Sequence, residues 1–188
     1  MIKINEDERR DFFRIDDEIY LDFEAITDDE YAAAPLTLKN LHESTFSLSA
    51  DFATLNNNIH PILNNIKQLH PDIGEYLEVL NSKIDSLSQH MLYENSSFDQ
   101  SKVTSANLSA SGIQFNSNEI YEPGQAVKLE LVLLPEKIGV LIFGRIIKCD
   151  ENYLSIEFEF LRPEDQELMI KHNLNKQMSD LREKNDYT

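Results

Sequence analysis

The chain has 188 residues, of which 41% are hydrophobic, so it is long enough for one domain with its own core and an appendage. The 34 acidic residues outnumber the 17 basic ones and give a net charge of −17, which repels polyanions. This charge argues against general binding to a nucleic-acid backbone and against peripheral attachment to anionic lipid.

The stretch MIKINEDERR has no apolar signal segment, and the most apolar region, Leu129 to Ile147, is interrupted and too short to span a bilayer. Cys149 is the single cysteine, so no intramolecular disulfide can form. It lies in a strand-like apolar run, where a free cysteine behaves as a small buried hydrophobe. We expect a cytoplasmic protein without direct membrane insertion.

The first strand pattern covers residues 14–24, where Ile19, Leu21 and Phe23 alternate with polar or aromatic positions. The next stretch, TDDEYAAAP, ends at Pro35 and is interpreted as a linker. We therefore assign residues 1–30 to an N-terminal segment and the first strand of a barrel.

The hydrophobic period then changes to that of a helix. Apolar residues follow one another at alternating steps of four and three, which is the a/d pattern of a heptad repeat. The first series is Leu48, Phe52, Leu55, Ile59, Ile62, Ile66, Leu69 and Ile73, and the second is Leu77, Leu80, Ile84, Leu87 and Met91. Residues 37–95 are thus predicted to form inserted amphipathic helices.

Pro71 is well placed for the first turn of a new helix, because proline is favoured there and Asp72 and Glu75 suit the positive end of the helix dipole. We predict two helices, over about 38–69 and 71–93, with one continuous kinked rod as the alternative. A sustained heptad seam is typical of a contact between subunits. We therefore expect a homo-oligomer through residues 38–93, although the seam could instead be covered within the chain.

Strand patterns return in residues 101–188. They are KVTSANLSASGIQF, GQAVKLELVLL, IGVLIFGRIIKC and YLSIEFEF, and a helical pattern follows from Pro163. The predicted fold class is α+β: a small antiparallel β-barrel of about six strands, with a C-terminal helix and an inserted helical hairpin or coiled-coil segment.

Two short motifs contain the candidate binding residues. In RRDFFR, Arg10 and Arg14 have the spacing RxxxR, and in NLSASG, residues Asn107, Ser109 and Gly112 have the spacing NxSxxG. In this order the two motifs are the signature of the PilZ domain. The chain resembles that family over residues 8–24 and 101–182, and the resemblance implies a β-barrel receptor for the bacterial second messenger cyclic di-GMP.

The resemblance also implies the role of each residue. Arg10 and Arg14 would grip the guanines and phosphates, Arg9 could add a contact, and Asn107, Ser109 and Gly112 would form the facing barrel surface. The residue types suit this ligand, because the guanidinium fork of arginine matches guanine O6 and N7, or a phosphate, bidentately. Glycine permits a close backbone approach or a positive φ angle.

One departure from the family pattern is the distance between the motifs, since Arg14 and Asn107 are 93 positions apart (107 − 14) and the helical segment lies between them. A pair of antiparallel helices returns the chain to a neighbouring strand. By resemblance, PilZ proteins with inserted heptad helices include tetramers.

We find no pattern of a catalytic or metal site in the sequence, and we expect a protein that is not an enzyme and has no cofactor besides its ligand. The histidines, which show no metal-ligand spacing, are His42, His60, His70, His90 and His172. Two alternatives to a receptor that regulates an unknown downstream protein remain. One is a non-binding PilZ-fold scaffold that acts through its helices; the other, nucleic-acid binding through the arginines, is disfavoured by the net charge.

Overall fold

A computed structural model describes residues 2–3, 13–41, 47–95, 102–150 and 153–186. The strands in these ranges are β1 (Ile2–Lys3), β2 (Ile15–Ala25), β3 (Val103–Ser109), β4 (Gly112–Asn116), β5 (Ala126–Leu133), β6 (Ile138–Asp150) and β7 (Tyr153–Leu161). The helices are α1 (Asp28–Lys39), α2 (Leu48–Leu69), α3 (Pro71–Asn95) and α4 (Pro163–Asp186).

Strands β2 to β7 form a closed antiparallel barrel. Their order is β7-β4-β3-β2-β5-β6, and β6 pairs back with β7 to close it. The short β1 continues the sheet beside the end of β7, where Ile2 pairs with Leu161. The six-stranded barrel, the C-terminal helix and the helical insertion confirm the predicted fold class.

The hydrophobic core fills the inside of the barrel. In β4, for example, Ile113 and Phe115 are buried, whereas Gln114 and Asn116 between and after them are more exposed, as strand alternation requires. Burying one large aliphatic or aromatic side chain contributes about 1.5–3 kcal/mol. Helix α4 adds Met169 to a core that includes Ile19, Leu108, Ile113, Leu129, Ile142, Ile156 and Phe158.

Helix α1 occupies the stretch that was interpreted as a linker, so that prediction is wrong. Its N-terminus has a capping box, in which the Thr27 hydroxyl accepts from the backbone N–H of Glu30 and the Glu30 carboxylate accepts from the backbone N–H of Thr27. The helix continues through Pro35 and buries Tyr31 and Leu38 against the outside of the barrel. Burial of this face outweighs the hydrogen bond that the proline removes.

Helices α2 and α3 form an antiparallel hairpin, and the predicted break at Pro71 is confirmed because α3 begins there. The predicted start of the first helix near residue 38 is wrong. Residues 38–39 belong to α1, which ends at its C-cap Asn40, and α2 begins at Leu48. Contacts across the hairpin run from Asn56 to Asp85 and from Lys67 to Glu78.

The base of this helical hairpin is attached to the barrel by buried polar contacts. The Arg162 guanidinium, at the start of α4, contacts Asp51 of α2 and Asp165 of α4, each at 2.7 Å. Ser49 accepts a hydrogen bond from the backbone N–H of Gly139 in β6 at 2.9 Å. Breaking a buried ion pair by removing one partner costs about 3–5 kcal/mol, so these contacts hold α2 firmly against the barrel.

Candidate functional site

The barrel brings the two sequence motifs together. Strands β2 and β3 are antiparallel neighbours, and their register places Asp16 opposite Asn107. Strands β3 and β4 then form a tight hairpin in which Ser109 pairs with Gly112. The residue that ends the RxxxR motif, Arg14, immediately precedes β2 and therefore reaches the hairpin that carries the NxSxxG motif.

The Arg14 guanidinium lies over this hairpin. Its Nη1 atom is 3.4 Å from both the backbone oxygen and the side-chain Oδ1 of Asn107. Its Nη2 atom is 3.4 Å from the position that a Cβ on Gly112 would occupy. These contacts are long and the side chain is exposed, so the guanidinium can turn towards a ligand without breaking a strong interaction.

The predicted site residues Arg9 and Arg10 lie outside the described residues. Their contribution to the site therefore stays a prediction, while Arg14, Asn107 and Gly112 are brought into contact.

Asn107 has a defined orientation on the outer face of β3. Its Nδ2 donates to Asp16 Oδ1 at 2.7 Å, which turns its Oδ1 towards Arg14. The amide thus connects a cation on one side with a carboxylate on the other. Asp16 lies outside both motifs, and its place in this arrangement was not predicted from the sequence.

Gly112 is needed for a close approach rather than for a positive φ angle. A Cβ there would lie 2.8 Å from the backbone oxygen of Ile156 in β7, closer than real Cβ atoms come to such an oxygen. The Arg14 Nη2 atom lies 3.4 Å from the same Cβ position, which is an ordinary van der Waals distance. The close approach to β7 is therefore what requires glycine here.

Ser109 has a different place from the other motif residues, because its side chain is buried in the β3–β4 turn. Its hydroxyl donates to the backbone oxygen of Gly112 at 3.1 Å and accepts from the backbone N–H of Ser111 at 3.3 Å. The hydroxyl stabilises the turn, and its hydrogen bond to the Gly112 backbone oxygen connects it with the other motif residues.

A groove of about 380 Å³ runs along the same outer face. Asp16 and Asn107 line one side, and Gln114, which pairs with Asn107 in the sheet, continues the polar row. Tyr153 and Lys176 lie at its border. The groove is open, and Asn107, which contacts the Arg14 guanidinium, forms part of its wall.

A second cluster of charges lies directly behind the site. Asp17, the neighbour of Asp16, is buried and its Oδ2 is 2.6 Å from His172 Nε2 of α4. His172 Nδ1 is 3.5 Å from Glu136, and Lys176 is 3.4 Å from Asp17. The strand that carries the site is thereby joined to α4 and to the turn between β5 and β6.

These contacts shift the pKa values of the buried pair in opposite directions. Burial by itself lowers the pKa of His172, but the hydrogen bonds and charges of Asp17 and Glu136 outweigh it and raise the pKa to about 9. Burial likewise raises the pKa of Asp17, yet the hydrogen bond and charge of His172, with Lys176, lower it below its ordinary value. The pair is therefore charged at neutral pH.

In the described part of the chain, no group of three or more His, Cys, Asp or Glu side chains is placed to hold a metal ion. No described helix has the length and apolarity needed to cross a membrane.

Comparison with known proteins agrees with this geometry. The PilZ domain family matches residues 89–174, which include the NLSASG hairpin and most of the barrel. Residues 89–174 are therefore similar to a PilZ domain. Strand β2 and Arg14 precede the matched residues in the sequence, but they complete the same barrel in space.

The whole architecture of the chain is similar to a solved structure. A tetrameric PilZ domain protein of Xanthomonas campestris, described as self-assembled through an unusual helical bundle, has a TM-score of 0.55 at 12% sequence identity. The similarity covers 91% of this chain and 89% of the other. It shows a common fold that includes the helical insertion.

A more distant structural match is the inhibitor of motility (MotI/DgrA) of Bacillus subtilis, with a TM-score of 0.36 and 17% identity over 41% of this chain and 42% of the other. No curated protein matches the chain.

Proposed function

We propose that this protein is a cytoplasmic, non-enzymatic receptor for cyclic di-GMP. The observation that supports it is the position of the Arg14 guanidinium, which contacts Asn107 and lies close to Gly112, while Asn107 lines an open groove. The two motifs of the family meet there although 93 positions separate them. A scaffold that does not bind the nucleotide would not need the contact between Arg14 and Asn107.

The chemistry of the site suits a flat, dianionic ligand. An arginine fork binds guanine O6 and N7 or a phosphate bidentately, and one such contact is worth about 1–3 kcal/mol. Stacking of the guanidinium on a base adds about 0.5–2 kcal/mol, depending on desolvation. Arg9 and Arg10, which precede Arg14 in the same motif, would supply further cations to the two phosphates.

Binding would be transmitted by ordering of the RxxxR segment over the nucleotide, which changes the surface offered to a downstream protein. Ordering of a segment by a ligand is an established switching mechanism. Hydrogen exchange tests this step, because amides in residues 8–16 should become protected when cyclic di-GMP is added. Unchanged exchange in that segment would contradict the mechanism.

The decisive test of the receptor function is isothermal titration of the full chain with cyclic di-GMP. Wild-type protein should bind saturably, and Arg14→Ala should weaken binding by about 5- to 150-fold, which corresponds to 1–3 kcal/mol. Arg182→Ala is a matched control, since Arg182 is exposed on α4 and far along the chain from both motifs. Absence of binding by wild-type protein would favour the scaffold alternative.

We further propose that the helical hairpin assembles copies of this chain into an oligomer. The contacts between α2 and α3 include the polar pairs Asn56–Asp85 and Lys67–Glu78, and Gly74 and Ser88 are buried. Many of the large apolar side chains of the hairpin are exposed instead. Those that are at least 40% exposed are Leu55, Ile59, Ile62, Leu69, Ile73, Tyr76, Val79, Leu80, Ile84 and Leu87.

Exposure of so many large apolar side chains on one helical hairpin is unusual on a monomer and marks a contact site. A second copy of the chain is the natural occupant, because the heptad spacing of most of these residues suits packing of helix against helix. The X. campestris protein with the same overall fold assembles through a helical bundle, which supports this proposal.

A further inference from the structure

Asp16 places a carboxylate within a site that otherwise suits an anion. It is exposed on β2, directly opposite Asn107 in the sheet, and it lines the groove beside Arg14. Its Oδ1 accepts one hydrogen bond, from Asn107 Nδ2 at 2.7 Å. A carboxylate has two oxygens with about four acceptor positions, so it retains capacity to accept hydrogen bonds from a ligand.

This carboxylate is unsuited to a phosphate, because like charges at close range repel. It suits the base of a nucleotide instead. Guanine has acceptors at O6 and N7 on one edge, and donors at N1–H and the N2 amino group on its Watson–Crick edge. A site with a guanidinium and a carboxylate on either side of one amide can match both kinds of group at once.

We propose that Asp16 determines the specificity of this site for guanine, by accepting hydrogen bonds from N1–H and the N2 amino group while Arg14 binds O6 and N7 or a phosphate. The inference rests on the proposed binding of cyclic di-GMP and adds a residue outside the two motifs. Adenine has an unprotonated N1 in the position of the guanine N1–H, so the carboxylate repels it. Cyclic dinucleotides that contain adenine are therefore excluded by the same residue.

The neighbouring acidic residues are less suited to this role. Asp17 is buried and engaged with His172 and Lys176. Glu18 is exposed on the same face as Asp16, but it pairs with Ser105 rather than with Asn107. Among these three carboxylates, the one held by Asn107 next to Arg14 belongs to Asp16.

The test compares two ligands in a thermodynamic cycle. Cyclic di-GMP and its inosine analogue, which lacks the N2 amino groups, are titrated into wild-type protein and into Asp16→Asn, Asp16→Ala and Glu18→Gln. Asp16→Asn retains an acceptor oxygen for Asn107 and removes the charge, whereas Glu18→Gln removes one charge from the same face. Thermal unfolding of each variant verifies that it is folded.

Wild-type protein should bind the inosine analogue about 10- to 100-fold more weakly than cyclic di-GMP, because an amino group no longer meets a charged acceptor. In Asp16→Asn and Asp16→Ala the ratio of the two dissociation constants should fall to about twofold, and in Glu18→Gln it should stay as in wild type. If cyclic di-GMP binds but both Asp16 variants keep the wild-type ratio, the role of Asp16 is refuted and the receptor function stands. If wild-type protein binds neither ligand, both proposals fail together.

Discussion

The imidazole of His172 lies 2.6 Å from the buried carboxylate of Asp17, and this pair joins helix α4 to the strand that carries the candidate binding site. The two residues are 155 positions apart in the sequence. Asp17 immediately follows Asp16, whose side chain is bonded to Asn107. If a ligand displaced β2, the His172–Asp17 pair would transmit that displacement to α4.

The charged His172–Asp17 pair should make stability depend on pH. The pKa of His172 rises from 6.5 to about 9 on folding, so its contribution is complete below pH 6.5 and is lost as the pH rises towards 9. The pKa of Asp17 is lowered from 3.8, so its contribution is present above that pH and is lost as the pH falls through the lowered value. The contribution of this pair to stability should therefore be greatest between pH 3.8 and pH 6.5.

Chemical denaturation at pH 6 and pH 9.5 measures this effect. Wild-type protein should lose stability on the order of 3 kcal/mol over this interval, because each pH unit of a pKa shift corresponds to 1.36 kcal/mol. His172→Gln should lose much less, and His60→Gln, at an exposed position on α2, should behave as wild type. An equal loss in wild type and His172→Gln would show that another group is responsible.

Gly112→Ala should affect stability and binding together. The new Cβ would lie 2.8 Å from the Ile156 backbone oxygen and 3.4 Å from Arg14 Nη2. We expect a loss of about 1–3 kcal/mol of stability from overpacking and weaker binding of cyclic di-GMP by the molecules that remain folded. Titration below the unfolding transition measures the second effect.

Gly124→Ala is the control for Gly112→Ala. Gly124 has a φ of 90° and no atom within 4 Å of a built Cβ, so alanine there introduces backbone strain away from the two motifs. It should cost about 1–2 kcal/mol of stability and leave the affinity unchanged. Equal loss of affinity in both variants would mean that instability, rather than the position of Arg14, explains the effect.

Ser109 and Asn107 should respond to alanine substitution in opposite ways. Ser109→Ala removes the three hydrogen-bond contacts of the Ser109 hydroxyl in the β3–β4 turn and should cost about 1 kcal/mol of stability, with a small effect on affinity. Asn107→Ala should leave stability nearly unchanged and weaken binding about fivefold or more, since it removes a polar contact at the groove. Unfolding and titration of the same samples separate the two effects. Direct contact of the Ser109 hydroxyl with the ligand would be revealed by a loss of affinity that matches that of Asn107→Ala.

Disruption of the exposed apolar side chains of the hairpin should dissociate the proposed oligomer. Leu55 and Leu87 are 55% and 59% exposed, and replacing both with glutamine removes apolar area while preserving helix propensity. Burial of one leucine contributes about 1.5–3 kcal/mol, so sedimentation velocity should show a shift towards monomer at the same concentration. Asn65→Gln, at an exposed polar position of α2, should sediment as wild type. A wild-type monomer at high concentration would contradict the assembly proposal itself.

Helix α1 was predicted as a linker, although its start is marked in the sequence. The capping box of Thr27 and Glu30 was present in the sequence and signals a helix start. The proline and the short polar run argued against a helix, because a helix through Pro35 is unfavourable unless one face of the helix is buried. That burial comes from Leu141 and Phe143 of β6, more than 100 positions away, and no local pattern reveals it.

The candidate site was likewise predicted only in part from the sequence. The resemblance of the two motifs to the PilZ signature predicted that Arg14, Asn107 and Gly112 belong to one site, and the structure brings these residues together. Whether a motif residue faces the ligand or the turn depends on hydrogen bonds formed after folding, and these turn Ser109 inwards. Strand alternation predicts that Asp17 points to the other face of β2 from the exposed Asp16. It does not predict the partner of Asp17, because His172 lies 155 positions away in the sequence.

By itself, the sequence determined what is periodic or local: the strands from their alternation, α3 from Pro71, the helical insertion from its heptad steps, and the two motifs from their spacing. Only the tertiary structure decided which faces meet. Asn56 pairs with Asp85 between α2 and α3 while much of the heptad seam stays exposed, and pairing of Asp16 with Asn107 places a carboxylate near the arginine. The reason is physical: periodicity specifies that a residue has an apolar or polar neighbourhood, whereas the identity of its partner depends on the closure of the barrel and the docking of its helices.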